Sequence, residues 1–204
     1  MNFLGQDIAI SFFRVIAWTS VSYLAGIAIG YWCYAHRGIR ILLMPLVNFF
    51  RHISPFCWLP IIILVAGIGE WPVGIVLLFS MLFNAIVISM GVFRMVHRDL
   101  LDTASLDGAD RKQIFRHILL PLSLPELLNL FRILWSVGWT AIIAAEMLGV
   151  RSGLGYRLLD FRYLLQYREM LIYIGIIGAI GIFTDYILVR AHKLLKTYLL
   201  GQLD

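Results

Sequence analysis

Long apolar runs alternate with short polar breaks along this chain. The first run covers about residues 8–32 and holds one charge, Arg14. A second apolar region, 41–69, is interrupted by Arg51 and His52. It is longer than the about 20 residues that an upright helix needs to cross a bilayer. The crossing part is therefore assigned to 53–69, with 41–50 a tilted or interfacial lead-in bent near Pro45. Further runs follow at about 71–93, 124–148 and 170–190. Runs of this length, with almost no charge inside them, predict transmembrane helices. The fold class is all-α and polytopic, with about five crossings in a single domain over 1–204.

The polar segment 99–121, between the third and fourth runs, breaks this pattern in an ordered way. From Asp102 it reads D-T-A-S-L-D-G-A-D-R-K-Q-I-F-R-H-I-L-L-P. A short helix, a turn at Gly108 and a second helix stopped by Pro121 account for it. Asp110 can cap the second helix, with Gln113 as its reciprocal partner. Ile114 and Ile118 then stack one turn apart, as do Phe115 and Leu119, while Arg111, Lys112 and Arg116 project from the other side. Ser123, Pro125 and Glu126 read as a second capping box opening the next helix. Such a pair of helices is either a docking device or an ordinary amphipathic segment lying on the lipid surface.

Composition supports the membrane reading. The chain is 61% hydrophobic and 14% charged, with mean hydropathy +0.86, too apolar for a soluble domain of 204 residues. The net charge of +5 is no argument for nucleic acid, because Lys and Arg cluster beside the spans, where they set topology. Ten lie at one end: Arg37, Arg40, Arg94, Arg98, Arg111, Lys112, Arg116, Arg190, Lys193 and Lys196. Four lie at the other: Arg151, Arg157, Arg162 and Arg168. The expected orientation is therefore N-terminus outside and C-terminus inside. The four outer arginines, with Tyr156, Tyr163 and Tyr167, suit either an interfacial anchor or a surface that docks a protein or attracts an anion. Cys33 and Cys57 suggest neither a disulfide framework nor a metal site. The first run has no basic segment before it, which argues against a cleavable signal peptide.

Charges inside spans are costly and are usually paired or functional. Arg14 and Glu146 fall in the outer third, and Arg132 and Asp185 in the inner half, so depth allows two ion pairs. Each pair either fixes the fold or lines a solute path. Gly26, Gly30, Gly67, Gly69, Gly91, Gly138 and Gly149 are candidates for close helix approach. A membrane-embedded enzyme would need clustered His, Asp or Cys. The histidines at 36, 52, 97, 117 and 192 are scattered instead. A structural scaffold would not require the glycine-turn helix pair. No internal repeat is visible, which argues against a secondary transporter.

The polar segment resembles the E-A-A-x3-G-x9-I-x-L-P signature of permease subunits of bacterial ATP-binding-cassette importers. Ala104, Gly108, Ile118, Leu120 and Pro121 match it with all internal spacings kept, while Asp102 and Thr103 stand where Glu and Ala are usual. Arg51–Pro60, Gly67–Glu70, Ala144–Leu148 and Ser152–Tyr156 resemble the nitrate, sulfonate and taurine subgroup, in a minimal five-helix form. The resemblance implies a place in the bacterial inner membrane and a pathway formed by two permease subunits, identical copies in the simplest assembly. It further implies two cytoplasmic ATPases and an extracytoplasmic substrate-binding protein as partners. ATP and Mg would be bound by the ATPases, with no cofactor or metal on this chain, which has no G-x4-G-K-[ST] loop. Asp102, Thr103, Ala104, Asp107, Gly108, Ala109, Arg111, Lys112, Arg116, Ile118, Leu120 and Pro121 would form the coupling segment. Arg14, Trp58, Trp139 and Glu146 are the candidate pathway residues. The implied solute is a small anion such as nitrate, a sulfonate or a taurine-like molecule.

Overall fold

The structure, a computed structural model, describes residues 4–200, with side chains through residue 194. Lys196 thus lies outside the described side chains. Helix α1 spans Leu4–Ala35 and α2 spans Arg37–His52. A 3-10 turn, Pro55–Trp58, leads into the short α3, Leu59–Ala66. Then come α4 (Glu70–Met95), α5 (Arg98–Leu106) and α6 (Arg111–Ile114). A π turn, Phe115–Leu119, joins α6 to α7 (Leu120–Gly149). The chain ends with α8 (Leu154–Tyr163) and α9 (Tyr167–Leu200).

Pairwise contacts fix the directions of the long helices. Arg14 meets Glu70, Trp18 packs on Gly74, Gly26 on Ala85 and Gly30 on Ser89. Each step along α1 is a step forward along α4, so the two run parallel. The segment between them must therefore carry the chain back to its starting end. Helix α7 runs opposite to α1, through Ser11–Glu146 and Tyr23–Phe131. Helix α9 runs opposite to α7, through Arg132–Asp185, Trp135–Thr184 and Trp139–Ile177. Five crossings result, with the two termini at opposite ends.

The second crossing differs from expectation. Residues 53–69 do not form one span, since α3 has only eight residues. The return is made by α2 together with the Pro55–Ala66 segment, bent by 88° between them. The cause is local. Ser54 precedes Pro55, whose ring disfavours a helical conformation there, and Ile53 is already extended. Pro45, by contrast, is carried inside α2. The bend is filled by a cluster of rings, in which Phe50 stacks on Phe83 at 5.3 Å and Trp58 meets Phe50 at 5.8 Å.

The fourth crossing is longer than 124–148, and Pro121 stops nothing: the apolar helical run is continuous from Arg111 to Gly149. Proline lacks an N–H and crowds the carbonyl one turn earlier. Here the N–H of Leu120 bonds the Phe115 carbonyl across a widened π turn, and that turn takes Pro121 into the helix. Ser123 consequently sits inside α7 and caps no helix. Its Oγ is buried without a hydrogen-bond partner among the described residues.

The core lies between α1, α4 and α7, with Val15, Leu77, Met81, Leu130, Leu134 and Ile142 fully covered. Gly26 and Gly30 explain how closely α1 meets α4. A Cβ on either would come within 2.3 Å of the Ala85 Cβ or 2.0 Å of the Ser89 Oγ, and Ser89 instead donates to the Gly26 carbonyl at 2.9 Å. Gly91 faces open space, and Gly67 and Gly69 serve the turn between α3 and α4, so these three do not mediate close packing. Helix α9 leaves most of its apolar surface uncovered.

Candidate functional site

At the end that the Lys and Arg distribution predicts to be the inner one, α5 and α6 form a projecting helix pair. Gly108, at φ +87°, makes the reversal between them in the left-handed region that favours glycine. The N–H of Ala109 bonds the Ala104 carbonyl and that of Gly108 bonds Ser105, closing α5. The capping box holds in both directions. Asp110 accepts from the Gln113 N–H at 2.7 Å, and the Asp110 N–H donates to the Gln113 side chain at 2.8 Å. Phe115 anchors the pair to the bundle through Tyr31, ring centroids 4.6 Å apart.

The residues singled out in this segment divide by exposure. Asp102, Thr103, Asp107, Gly108, Arg111, Lys112 and Arg116 are exposed. Ala104, Ala109, Ile118 and Leu120 are half-buried, and Pro121 is exposed at the start of α7. Thr103 donates back to the Asp99 carbonyl at 2.8 Å. A cavity of about 420 Å³ opens beside the turn, lined by Asp107, Gly108, Gln113, Ile114 and His117 among others. Leu106 is 88% exposed at the tip. Leu106 thus stands exposed amid mixed charge at the tip of the pair, beside the capping box of α6.

At the opposite end, the expected outer one, four elements converge on Glu146, which is fully buried in the last turn of α7. Arg14 donates from Nη1 to Glu146 Oε1 at 2.7 Å. The same guanidinium makes a fork to Glu70 at the start of α4, with Nε at 2.7 Å from Oε2 and Nη2 bonded to Oε1. It also reaches the Ser152 carbonyl at 2.9 Å and its Oγ at 2.8 Å. Ser11, one turn before Arg14 on α1, donates to Glu146 and accepts from the Leu154 N–H at 2.9 Å. The Gly155 N–H completes the carboxylate's shell at 2.9 Å. Glu146 therefore caps the N-terminus of α8, where free N–H groups and the helix dipole favour a negative charge. Gly153, at φ +99°, is required by contact as well as conformation, since a Cβ there would lie 2.3 Å from Glu146 Oε1.

This arrangement ties the outer ends of α1, α4, α7 and α8 into one rigid unit. Depth alone placed Arg14 and Glu146 together. Ser11, Glu70, Ser152 and the α8 backbone were not visible from the sequence as members of the same cluster. The motifs A-A-E-M-L and S-G-L-G-Y, read separately along the chain, are the two halves of one contact. Arg157, one of the outer arginines, bonds Asp7 of α1 at 3.1 Å. Burial opposes its charge, but the Asp7 hydrogen bond and charge outweigh that and hold the guanidinium above its usual value.

Midway through the bundle, a cavity of about 440 Å³ lies between α7 and α9, lined by Trp135, Ser136, Trp139, Thr140, Gly178 and Asp185 among others. The two indoles stack 6.2 Å apart, and Trp139 donates to the Ile177 carbonyl. Arg132 and Asp185 form a two-bond pair at its inner edge, at 2.7 and 3.0 Å. Trp58 is remote from this cavity, within the ring cluster at the bend. Among the described residues, no group of three or more His, Cys, Asp or Glu could hold a metal ion.

Residues 22–196 match the family described as binding-protein-dependent transport system inner membrane component, and the chain belongs to that family. A probable ABC transporter permease protein of Brucella melitensis is 32% identical over 196 residues, 96% of this chain and 79% of that protein. The taurine transport system permease protein TauC of Escherichia coli is 30% identical over 154 residues, 75% of this chain and 56% of TauC. The inward-facing MetNI methionine ABC transporter contains a chain of the same fold, with TM-score 0.74 and 18% identity over 98% of this chain and 99% of that one.

Proposed function

We propose that this inner-membrane permease subunit pairs with a second copy to form the pathway of an ATP-driven importer, and that α5 and α6 carry the force of ATP hydrolysis into the bundle. The observation that carries the reading is the α5–Gly108–α6 unit. Its second helix is capped by Asp110, it exposes Leu106, Phe115 packs it on Tyr31 of α1, and the helical run from Arg111 continues to Gly149. A push on α6 is thereby transmitted along α7 to Glu146 and the outer cluster. Two cytoplasmic ATPases dock on this unit, with Asp102, Thr103, Asp107, Arg111, Lys112 and Arg116 on the contact face. An extracytoplasmic binding protein delivers solute to the outer end, where α8 presents Arg162 and the first turn of α9 presents Arg168.

The solute path runs beside Trp139 and Thr140, in the cavity between α7 and α9, with the second subunit closing its open side. The uncovered faces of α2 and α9 support that placement. Arg14 and Glu146 hold the mouth of the path, and Arg14 borders, with Glu70, a further cavity of about 570 Å³. The solute class is a small anion such as a sulfonate. The similarity to a taurine permease and the basic residues of the outer segment support it. The chain is oriented with its N-terminus outside, as the Lys and Arg distribution favours. Purification of the tagged chain with its ATPase tests docking. Stable co-purification is expected, and its loss on replacing Leu106 with Asp. Equal recovery of the ATPase with Leu106→Asp would remove α5–α6 as the docking unit.

A further inference from the structure

The junctions α1–α2 and α4–α5 meet at the inner end around a cavity of about 340 Å³ lined by Tyr34, Arg40, Arg94, Val96 and Arg98. Three guanidinium groups thus converge from three separate segments. None of them makes an ion pair among the described residues, although Arg14, Arg132 and Arg157 all do. The nearest acidic residue in sequence, Asp99, is exposed in the first turn of α5 and does not line the cavity. Both helices that begin here, α2 at Arg37 and α5 at Arg98, lack a side-chain cap. Their first N–H groups lie beside the last carbonyls of α1 and α4, so the positive charge here comes from the three arginines.

Like charges held together without a counterion repel one another, and an arginine fork matches an oxyanion with two parallel hydrogen bonds. We propose that this cavity binds the phosphate of an anionic phospholipid. The choice of a lipid over free phosphate follows from the surroundings. Leu42 is 82% exposed and Met95 71% exposed, with Ile41 also uncovered, so apolar surface for acyl chains adjoins the charged cavity. Basic pockets between helices on the cytoplasmic side are suited to anionic headgroups. The inference rests on this end lying at the inner membrane face, and is independent of which solute is imported. A lipid seated here would brace the joint between α4 and the α5–α6 unit.

Native mass spectrometry of the purified full chain, titrated with phosphatidylglycerol, phosphatidylcholine or inorganic phosphate, tests this. Phosphatidylglycerol is expected to bind at least about tenfold more tightly than phosphatidylcholine. Arg40→Gln with Arg98→Gln should abolish that preference, while Arg151→Gln with Arg162→Gln at the outer end should preserve it. If the double variant does not fold, Arg98→Gln alone, at an exposed position, should reduce it. Undiminished phosphatidylglycerol preference in the folded variants would overturn the site. Inorganic phosphate binding as tightly as the lipid, with the same arginine dependence, would overturn the lipid assignment.

Discussion

Glu146 has no exposed side-chain surface, and among the described residues Arg14, Ser11 and the α8 backbone supply the hydrogen bonds to its carboxyl group. Removing one partner of such a buried pair leaves an uncompensated charge, which costs about 3–5 kcal/mol. Arg14→Met should therefore lower the yield and unfolding temperature of the detergent-purified protein more than Arg14→Met combined with Glu146→Met. A double variant less stable than the single one would show that the pair is not what holds the outer end. Gly153→Ala tests the same cluster from α8. Its Cβ would meet the carboxylate, so proteolysis at the outer segment should become faster while the spans stay inserted. At this scale the sequence revealed depth but not direction. Counting along the helices puts Arg14 level with Glu146, and Arg132 level with Asp185, and both pairs form. Glu70 opens α4 and Ser152 lies in the turn between α7 and α8, where position along the chain says little about where a side chain points.

Turn and cap chemistry is written in short stretches, and it was legible for α5 and α6. Gly108 adopts the positive φ its place between two helices requires, and Asp110 with Gln113 forms the expected box. Nothing lies within 4 Å of a Cβ built on Gly108, so a substitution there acts through the backbone alone. A β-carbon in the left-handed region costs about 1–2 kcal/mol, and asparagine tolerates it best. Gly108→Leu should therefore weaken ATPase association and transport, while Gly108→Asn retains most of both. Equal loss in the two variants would mean that side-chain bulk matters, against the docking geometry described. Asp110→Ala removes the box and should cost about 0.5–2 kcal/mol of local helix stability, read by amide exchange in α6. Proline was the misleading signal. Pro121 is absorbed by a π turn, and the real break falls at Ser54–Pro55, inside an apolar run that hydropathy alone reads as one span. A widened turn depends on tertiary fit and leaves no mark in periodicity.

Five crossings follow from the parallel course of α1 and α4, although among the described residues four helices are long enough to cross unaided. Hydropathy found the number, while the manner of the second crossing needed the contacts. With Cys57 replaced by Ser, cysteines placed at Gln166 and Asp107 report the orientation. An impermeant reagent applied to intact cells should label Gln166→Cys and spare Asp107→Cys. The reverse pattern would invert the assignment and with it the docking face. The central claim is that the α5–α6 unit couples ATP hydrolysis to movement of the bundle. Its most direct test is ATP-driven uptake by vesicles containing the chain, its ATPase and its solute-loaded binding protein, comparing native chain with Gly108→Leu. The account predicts solute uptake that needs all three proteins and is lost in Gly108→Leu despite a folded bundle. Full uptake by Gly108→Leu, or uptake without the ATPase, would contradict it.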